Sequence, residues 1–167
     1  AQEESVLDAA AFKAAQDTLC TAFATQYEAD LTALYKKHHP LNTSGDRALK
    51  NTILRYLVET KKPTGVKTAY DQFINAKNMT EKINSLAYLC LTETPEKQKA
   101  LASFFETWKD DSVVFNKWLQ VQASVPEAST FATVKKLSQT PPFSSDNPNN
   151  IYSLHGLLGD NNVALQS

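Results

Sequence analysis

The sequence predicts an all-α fold, and three observations lead to that prediction. Only four glycines occur among the 167 residues, and the hairpin signals Asn-Gly and Asp-Gly are both absent. Apolar residues recur every three or four positions, which is the spacing of one face of an α-helix. Residues that typically open or end helices separate these apolar segments. Together these features predict a series of helices joined by short loops.

The first predicted helix is the longest. Its apolar residues follow one another at i+4 spacing, and Asp8 stands where an N-cap residue is expected. Pro40, directly after His39, ends the helix because proline cannot continue the backbone hydrogen bonds. The predicted inward stripe consists of Leu7, Ala11, Ala15, Leu19, Phe23, Tyr27, Leu31 and Tyr35.

Three more helices are predicted before residue 91. The second follows the turn Asn42-Thr43-Ser44-Gly45, the third begins near Pro63-Thr64, and Thr80 caps the fourth. Each carries apolar residues on one side, which would face the core. These residues are Leu49, Ile53, Tyr56 and Leu57, then Val66, Ala69, Tyr70, Phe73 and Ile74, then Ile83, Leu86, Ala87 and Cys90.

The clearest helix start in the chain is Thr94-Pro95-Glu96. It combines a capping residue, a proline at the first helical position and an acid in the first turn. Asp111 or Ser112 opens a sixth helix and Ser129 a seventh, before a proline-rich loop that follows Thr140. The predicted inward residues are Leu101, Phe104, Phe105 and Trp108, then Val114, Trp118, Val121 and Val125, then Phe131, Val134 and Leu137.

The last predicted helices lie near the end of the sequence. Asn147-Pro148 starts an eighth helix, and Asn161-Asn162 is a typical cap for a ninth, although only five residues follow it. The inward residues of the eighth helix are Ile151, Leu154 and Leu158. An unfinished helix suggests an array that normally continues. Exposed apolar surface is therefore expected around Leu157, Leu158 and Val163.

Short connections make sequential helices antiparallel neighbours, and stacked antiparallel pairs form a curved array. No repeat of fixed length is visible, so a degenerate, HEAT-like superhelical array is expected rather than a regular solenoid. Residues 1–167 are expected to form a single helical domain, a truncated portion of a larger one.

The composition excludes several classes of function. A net charge of −1 argues against a nucleic-acid or acidic-membrane surface, and no apolar run approaches the about 18 residues of a membrane span. A disulfide between Cys20 and Cys90 is one interpretation. The apolar surroundings of both residues favour the other interpretation, which is two buried free thiols in a reducing compartment, the cytoplasm.

No set of residues forms a recognisable catalytic or metal-binding motif. His38 and His39 are adjacent, so their side chains diverge by about 100° around a helix and do not readily share a metal. His155 stands alone among apolar residues and is expected to be partly buried. His-Glu-x-x-His, Cys-x-x-Cys and Gly-x-Ser-x-Gly are absent, so we expect this chain to hold no catalytic residue, metal or cofactor.

Four segments nevertheless carry a pattern in a fixed order. They are Arg47-x-Leu49-x-Asn51, the turn 76–80, the tryptophan-containing run 104–123, and the segment 143–154 around Asn147-Pro148-Asn149. In order and spacing they resemble the C-terminal helical domain of bacterial-type aminopeptidase N, a gluzincin family of zinc metallopeptidases. The resemblance extends over nearly the whole chain.

The resemblance implies a parent zinc aminopeptidase that removes N-terminal residues from peptides, with its zinc ligands and catalytic residues in other domains. It implies that this domain is non-catalytic and packs on the catalytic domain of the same polypeptide. There it would wall the substrate chamber and limit access for peptides. The alternative is an independent helical scaffold that binds a partner protein on its concave face.

The chain departs from the family pattern at three positions. The family usually has arginines on both sides of Ile151, where this chain has Asn150 and Tyr152, and it commonly has aspartate where Asn116 stands. The resemblance implies that such arginines face the chamber and meet the carboxylate end of a peptide. Asn149, Asn150 and Tyr152 are therefore the candidate chamber-facing residues; alternatively, these are surface positions that are free to vary.

Overall fold

The computed structural model of the chain describes residues 9–41, 43–159 and 161, and every regular element in that part is a helix. The predicted all-α class is confirmed. The helices are α1 (Ala9–Gln26), α2 (Glu28–His38), α3 (Ser44–Glu59), α4 (Pro63–Asn75), α5 (Met79–Cys90), α6 (Pro95–Trp108), α7 (Ser112–Ala123), α8 (Thr130–Leu137) and α9 (Pro148–Ile151). α9 continues through a π-helical turn (Tyr152–Gly156) into α10 (Leu157–Gly159).

Two helix starts that the sequence predicts are confirmed. Pro95 is the first residue of α6. Asp111 opens α7, because its Oδ1 accepts hydrogen bonds from the backbone N–H groups of Val113 and Val114 at 3.0 and 3.1 Å. These contacts satisfy N–H groups that have no partner within the helix, which is the physical role of an N-cap.

The start of α5 differs from the prediction by two residues. The cap is Asn78 rather than Thr80, because Asn78 Oδ1 accepts from the backbone N–H of Glu81 at 2.9 Å. Thr80 lies within the first turn of α5 and is exposed. Asparagine and threonine are both good cap residues, so the local sequence alone does not choose between them.

The helices form two layers. α3, α5, α7 and the π-helical turn lie side by side in one layer, with α1 packed against α3 at its edge. α4 packs on α6 in the other layer, and α8 packs on α7. Consecutive helices such as α2 and α3, or α4 and α5, pack closely, as expected for helical hairpins. The predicted HEAT-like superhelical array is confirmed.

One continuous apolar core extends through the domain, and its α6–α7 part is aromatic. The ring centroid of Trp118 lies 4.9 Å from that of Phe105 and 5.7 Å from that of Phe115. Trp118 Nε1 donates to the carbonyl oxygen of Leu101 at 3.1 Å, so its polar group is satisfied inside the domain. We call Phe104, Phe105, Phe115 and Trp118 the aromatic core.

A second part of the interior, between α3, α4 and α5, is polar. Lys50 Nζ lies 2.6 Å from Glu81 Oε1, and both side chains are buried. Gln72 Nε2 donates to Asn51 Oδ1 at 3.0 Å and to Ser85 Oγ at 2.9 Å. We call these five residues, Lys50, Asn51, Gln72, Glu81 and Ser85, the polar core. The hydroxyl of Tyr35 on α2 joins it by donating to Gln72 Oε1 at 2.8 Å.

The predicted single long helix at the start of the chain is wrong, because a turn at Tyr27 separates α1 from α2. The predicted stripe is also not one buried face, since Leu19 and Phe23 are exposed whereas Tyr35 is buried. Residues four apart advance by about 40° around an α-helix, because one turn takes about 3.6 residues. A long row at i+4 spacing therefore winds around the helix instead of staying on one side.

Some single positions also differ from the prediction. The predicted inward residues that are exposed include Leu49, Ile74, Phe131 and Ile151. Ile74 follows the buried Phe73, and neighbouring helical side chains point about 100° apart, which places Ile74 outside the buried side of α4. Phe131 stands in the same relation to the buried Thr130. His155 is exposed rather than partly buried, and its ring lies edge-on to Phe143.

The expected apolar surface near the end of the chain is not found at Leu158. That side chain is only 7% exposed, because α10 packs against α7 and α8. Other expectations fall outside the described residues. They concern Leu7, Asp8, Asn42, the side chain of Leu157, Asn162, Val163 and the predicted ninth helix.

Candidate functional site

The segment that holds the three candidate residues begins at a well-formed helix start. Asn147 Oδ1 accepts from the backbone N–H of Asn149 at 3.0 Å, and Pro148 occupies the first position of α9. The short α9 then widens into the π-helical turn at Tyr152. Single π-helical turns within helices are uncommon and often occur at functional sites.

The candidates differ in exposure. Asn149 is exposed and Tyr152 is 69% exposed, whereas Asn150 is only 3% exposed. The expectation for Asn150 therefore needs correction, since this domain itself covers the side chain. Asn149 and Tyr152 lie at the surface, as chamber-facing residues must. That a substrate chamber adjoins them stays a prediction.

The amide of Asn150 is used inside the domain. Its Oδ1 accepts from the backbone N–H of Ser144 at 3.0 Å, and its Nδ2 donates to Asn116 Oδ1 at 2.7 Å. The side chain therefore ties the loop before α9 to α7. Asn116 and Asn150 are two of the positions at which this chain departs from the family pattern, and the fold joins them directly. Because they lie 34 residues apart, the sequence alone does not link the two positions.

Contacts with Gly156 and with α7 hold Tyr152 and Ser153 in place. A Cβ atom at Gly156 would lie 3.2 Å from Tyr152 Cδ2, so a larger residue at Gly156 would crowd the ring. Ser153 is buried, and its Oγ accepts from Gln120 Nε2 on α7 at 3.2 Å. The exposed phenol of Tyr152 is therefore presented from a turn that is anchored to α7.

A groove between α6 and α8 is a second feature of the surface, and no pattern in the sequence predicts it. It encloses about 720 Å³ and opens where the eight-residue α8 does not pack along α6. Its apolar lining includes Leu101, Phe105, Trp118, Val125 and Leu137, and its charged lining includes Lys97, Glu106, Glu127 and Lys136. The groove results from the shortness of α8 relative to α6, and such a difference in length gives no recognisable sequence motif.

The described part of the chain brings no three His, Cys, Asp or Glu side chains together as metal ligands. His38 Nδ1 lies 2.9 Å from Asp46 Oδ1, a contact that links the end of α2 to the start of α3. Cys20 and Cys90 are both free thiols. Burial raises the pKa of the Cys90 thiol to about 12, so it stays protonated near neutral pH.

No helix of the described part has both the length and the apolar composition that a membrane crossing requires.

Residues 1–165 match the family DUF3458_C, described as a domain of unknown function with ARM repeats. The chain belongs to this ARM-repeat family. The two-layer stacking of helix pairs agrees with that assignment.

The ARM-repeat domain is similar to parts of larger proteins. It is 27% identical to aminopeptidase N of Escherichia coli K12 over 95% of this chain, and 29% identical to aminopeptidase N of Caulobacter vibrioides over 94%. In each case it spans 19% of the relative's length. The resemblance to the C-terminal helical domain of aminopeptidase N is confirmed.

A solved structure supports the same relationship. The ARM-repeat domain superposes on part of Legionella pneumophila aminopeptidase A, crystallised in complex with aspartic acid, with a TM-score of 0.88 and 25% identity. The match covers 99% of this chain and 21% of that protein.

The motif residues that carry the resemblance serve packing in the ARM-repeat domain. Asn51 belongs to the polar core, Asn78 caps α5, Trp118 lies in the aromatic core and Asn147 caps α9. Their roles explain why the motifs predict the family without predicting any reaction chemistry.

Proposed function

We propose that this chain is a non-catalytic wall of a zinc aminopeptidase that removes N-terminal residues from peptides. The observation that carries the proposal is the match of 99% of this chain to one part of an aminopeptidase structure. The catalytic domain would lie elsewhere in the same polypeptide. Zinc would be bound there, because the described residues offer no group of three metal ligands.

The wall would surround the substrate chamber and limit its access to short peptides and flexible chain ends. A continuous core and closely packed helix pairs make the domain stiff, which a barrier against folded chains requires. Asn149 and Tyr152 are the surface residues that we place toward the chamber. The free thiols of Cys20 and Cys90 are consistent with a cytoplasmic enzyme.

Tyr152→Arg in the full-length enzyme tests the chamber role, because an arginine can bind the carboxylate end of a peptide. We expect kcat/KM to change more for peptides of several residues than for single-residue arylamides. Phe131→Arg, at an exposed aromatic on α8, is the matched control. Equal effects on both substrate classes, or equal effects of the two variants, would contradict the proposed orientation.

The non-catalytic role has its own test. The purified 167-residue chain should neither hydrolyse aminoacyl-arylamides nor contain stoichiometric zinc. Zinc-dependent hydrolysis by this chain would overturn the proposal.

The groove between α6 and α8 favours one alternative function, a scaffold that binds a partner protein. Its mixed apolar and charged lining suits a peptide segment. The full gene separates the two functions: an encoded His-Glu-x-x-His upstream supports the peptidase, and a gene without a catalytic domain supports the scaffold.

A further inference from the structure

The groove between α6 and α8 lies inside the helical array, with packed helices on both sides of it. α6 packs on α4, and α8 packs on α7 and α10. The groove encloses about 720 Å³, which is within the range of ligand-binding pockets, roughly 300–1,000 Å³. Asn149 and Tyr152 do not line it, so the groove is separate from the candidate chamber-facing residues.

The floor of the groove is apolar in character, although polar residues contribute to its lining. Thr130 Oγ1 donates to the carbonyl oxygen of Val125 at 2.7 Å, and Gln122 Nε2 donates to a backbone carbonyl of α7 at 3.0 Å. Thr133 and Thr140 also donate to carbonyl oxygens, in each case that of the residue four positions earlier. These donors are already used within the domain, so a bound molecule would gain mainly apolar contacts from the floor.

The charged residues of the lining are only partly neutralised. Two ion pairs account for three of them, and these pairs are Glu93–Lys97, with 2.6 Å between oxygen and nitrogen, and Glu106–Lys109, with 2.7 Å. Glu127 and Lys136 also line the groove, and neither has an ion-pair partner in the part of the chain that the structure describes. Two charges of opposite sign are therefore left to attract a ligand.

Glu127 and Lys136 stand near opposite ends of the wall that α8 forms. Glu127 lies three residues before Thr130, the first residue of α8, and Lys136 lies in the last turn. With a helical rise of about 1.5 Å per residue, Glu127 and Lys136 are about 10–13 Å apart along this wall. An extended peptide spans about 3.3–3.6 Å per residue, so a chain of three or four residues matches the separation.

A free peptide of this length carries charges complementary to those of the groove. Near neutral pH its amino end is mostly positive and its carboxylate is negative. In an extended chain the first and third side chains lie on the same side, so both can contact the apolar floor. The peptide amides can face the open mouth of the groove and stay hydrated there.

We propose that the α6–α8 groove binds free peptides of three or four residues that carry apolar side chains and an uncapped charge at each end. Glu127 binds the amino end, Lys136 binds the carboxylate, and the floor contacts the side chains through Leu101, Val125 and Leu137. The site uses neither zinc nor a catalytic domain, so it can be absent while the proposed function holds.

A titration of the 167-residue chain with the tripeptide Leu-Ala-Leu, followed by methyl NMR spectra, tests the site. We expect the methyl signals of Leu101, Val125 and Leu137 to shift, whereas those of Leu54, in the core beneath α3, stay unchanged. N-acetylation or C-amidation of the peptide should each raise the Kd about three- to fivefold, because each removes one ion pair with a partly exposed group.

Lys136→Met separates the contributions of the two peptide ends. In this variant amidation of the peptide should no longer weaken binding, while acetylation should still raise the Kd about three- to fivefold. Lys135→Met, at the neighbouring lysine that does not line the groove, is the matched control and should behave like the original chain. The capped peptides also test the site on the unmodified chain, so the outcome does not depend on the folding of a variant.

Three results would overturn this assignment of the groove. Unchanged methyl signals of Leu101, Val125 and Leu137 would show that the groove binds no short peptide. Hexanoate that binds as tightly as the tripeptide would indicate a site for apolar monocarboxylates, in which Glu127 takes no part. Tighter binding of the peptide blocked at both ends would assign the groove to an internal segment of a partner protein.

Discussion

The packing of α3, α4 and α5 differs from that of α6 and α7 in the kind of group that is buried between helices. The first region holds the polar core, in which Lys50 and Glu81 are paired and Gln72 bridges two helices. The second holds the aromatic core, in which the ring of Trp118 contacts two phenylalanines. Both regions belong to one domain and one contiguous interior.

The two kinds of buried group fix the geometry of their regions in different ways. Apolar contacts are non-directional, so the aromatic core stabilises by the area and volume that it fills. Hydrogen bonds are directional, so the polar core fits one alignment of three helices and penalises the others. We therefore expect variants in the aromatic core to reduce stability through cavities, and variants in the polar core to reduce it through unpaired groups.

Trp118→Ala should produce the largest effect. Truncation would leave a cavity among the rings and remove the indole hydrogen bond to the carbonyl of Leu101, so the free energy of unfolding should fall by about 3–5 kcal/mol. Urea unfolding followed by circular dichroism measures the change. Phe131→Ala, at an aromatic that is 54% exposed, should change stability by no more than about 0.5 kcal/mol. Similar losses in both variants would contradict the assignment of Trp118 to the core.

Lys50→Met should have the next largest effect. It should lower the free energy of unfolding by about 3 kcal/mol, because it leaves the buried carboxylate of Glu81 without its cation. This loss lies at the lower end of the range for broken buried ion pairs, because Glu81 can take up a proton and become neutral. The double variant Lys50→Met with Glu81→Leu should recover to within about 1 kcal/mol of the original chain. A double variant as unstable as the single one would show that the pair itself supplies the stability.

Asn150→Ala should reduce the free energy of unfolding by about 2 kcal/mol, because two partly buried hydrogen bonds, from the N–H of Ser144 and to the oxygen of Asn116, would be lost. The neighbouring Asn149→Ala removes an exposed amide and should change stability by less than about 0.5 kcal/mol. Thermal or urea unfolding of both variants measures the contrast. Equal stabilities would mean that the Asn116–Asn150 contact does not fix the segment.

The smallest expected effect is a dependence on pH at Glu81. Burial alone would raise the pKa of this carboxyl, but the hydrogen bond and charge of Lys50 outweigh burial and hold it below the ordinary 4.5. The unfolded chain therefore binds this proton at a higher pH than the folded chain does. The resulting stabilisation is present above pH 4.5 and is lost as the pH falls through the pKa of the folded state.

Glu81→Gln provides the measurement for this dependence. The difference in unfolding free energy between the original chain and Glu81→Gln should shrink as the solution is acidified. Glu93→Gln, at an exposed carboxylate, is the matched control and should show a smaller change with pH. If the difference in unfolding free energy between the original chain and Glu81→Gln stays constant as the pH falls, Glu81 does not contribute to the loss of stability in acid.

Helix starts could be predicted from the sequence because they depend on residues that are close together in the chain. Asp111 opens α7 because its carboxylate accepts from N–H groups two and three residues later, and Pro95 opens α6 because its ring fixes a helical φ. Asn149 and Tyr152 in the candidate segment are exposed, and that they face a chamber stays a prediction. The burial of Asn150 could not be predicted in this way, because its partner Asn116 lies 34 residues earlier.

The helical class, most helix starts and the family follow from the sequence alone. Each of these depends on short-range spacing, on caps or on the order of motifs. Only the tertiary structure decided which helix sides are buried, how Lys50 meets Glu81, and that Leu19 and its neighbours on α1 stay exposed. The physical reason is that burial and pairing depend on contacts between distant parts of the chain, which periodicity along one helix does not specify.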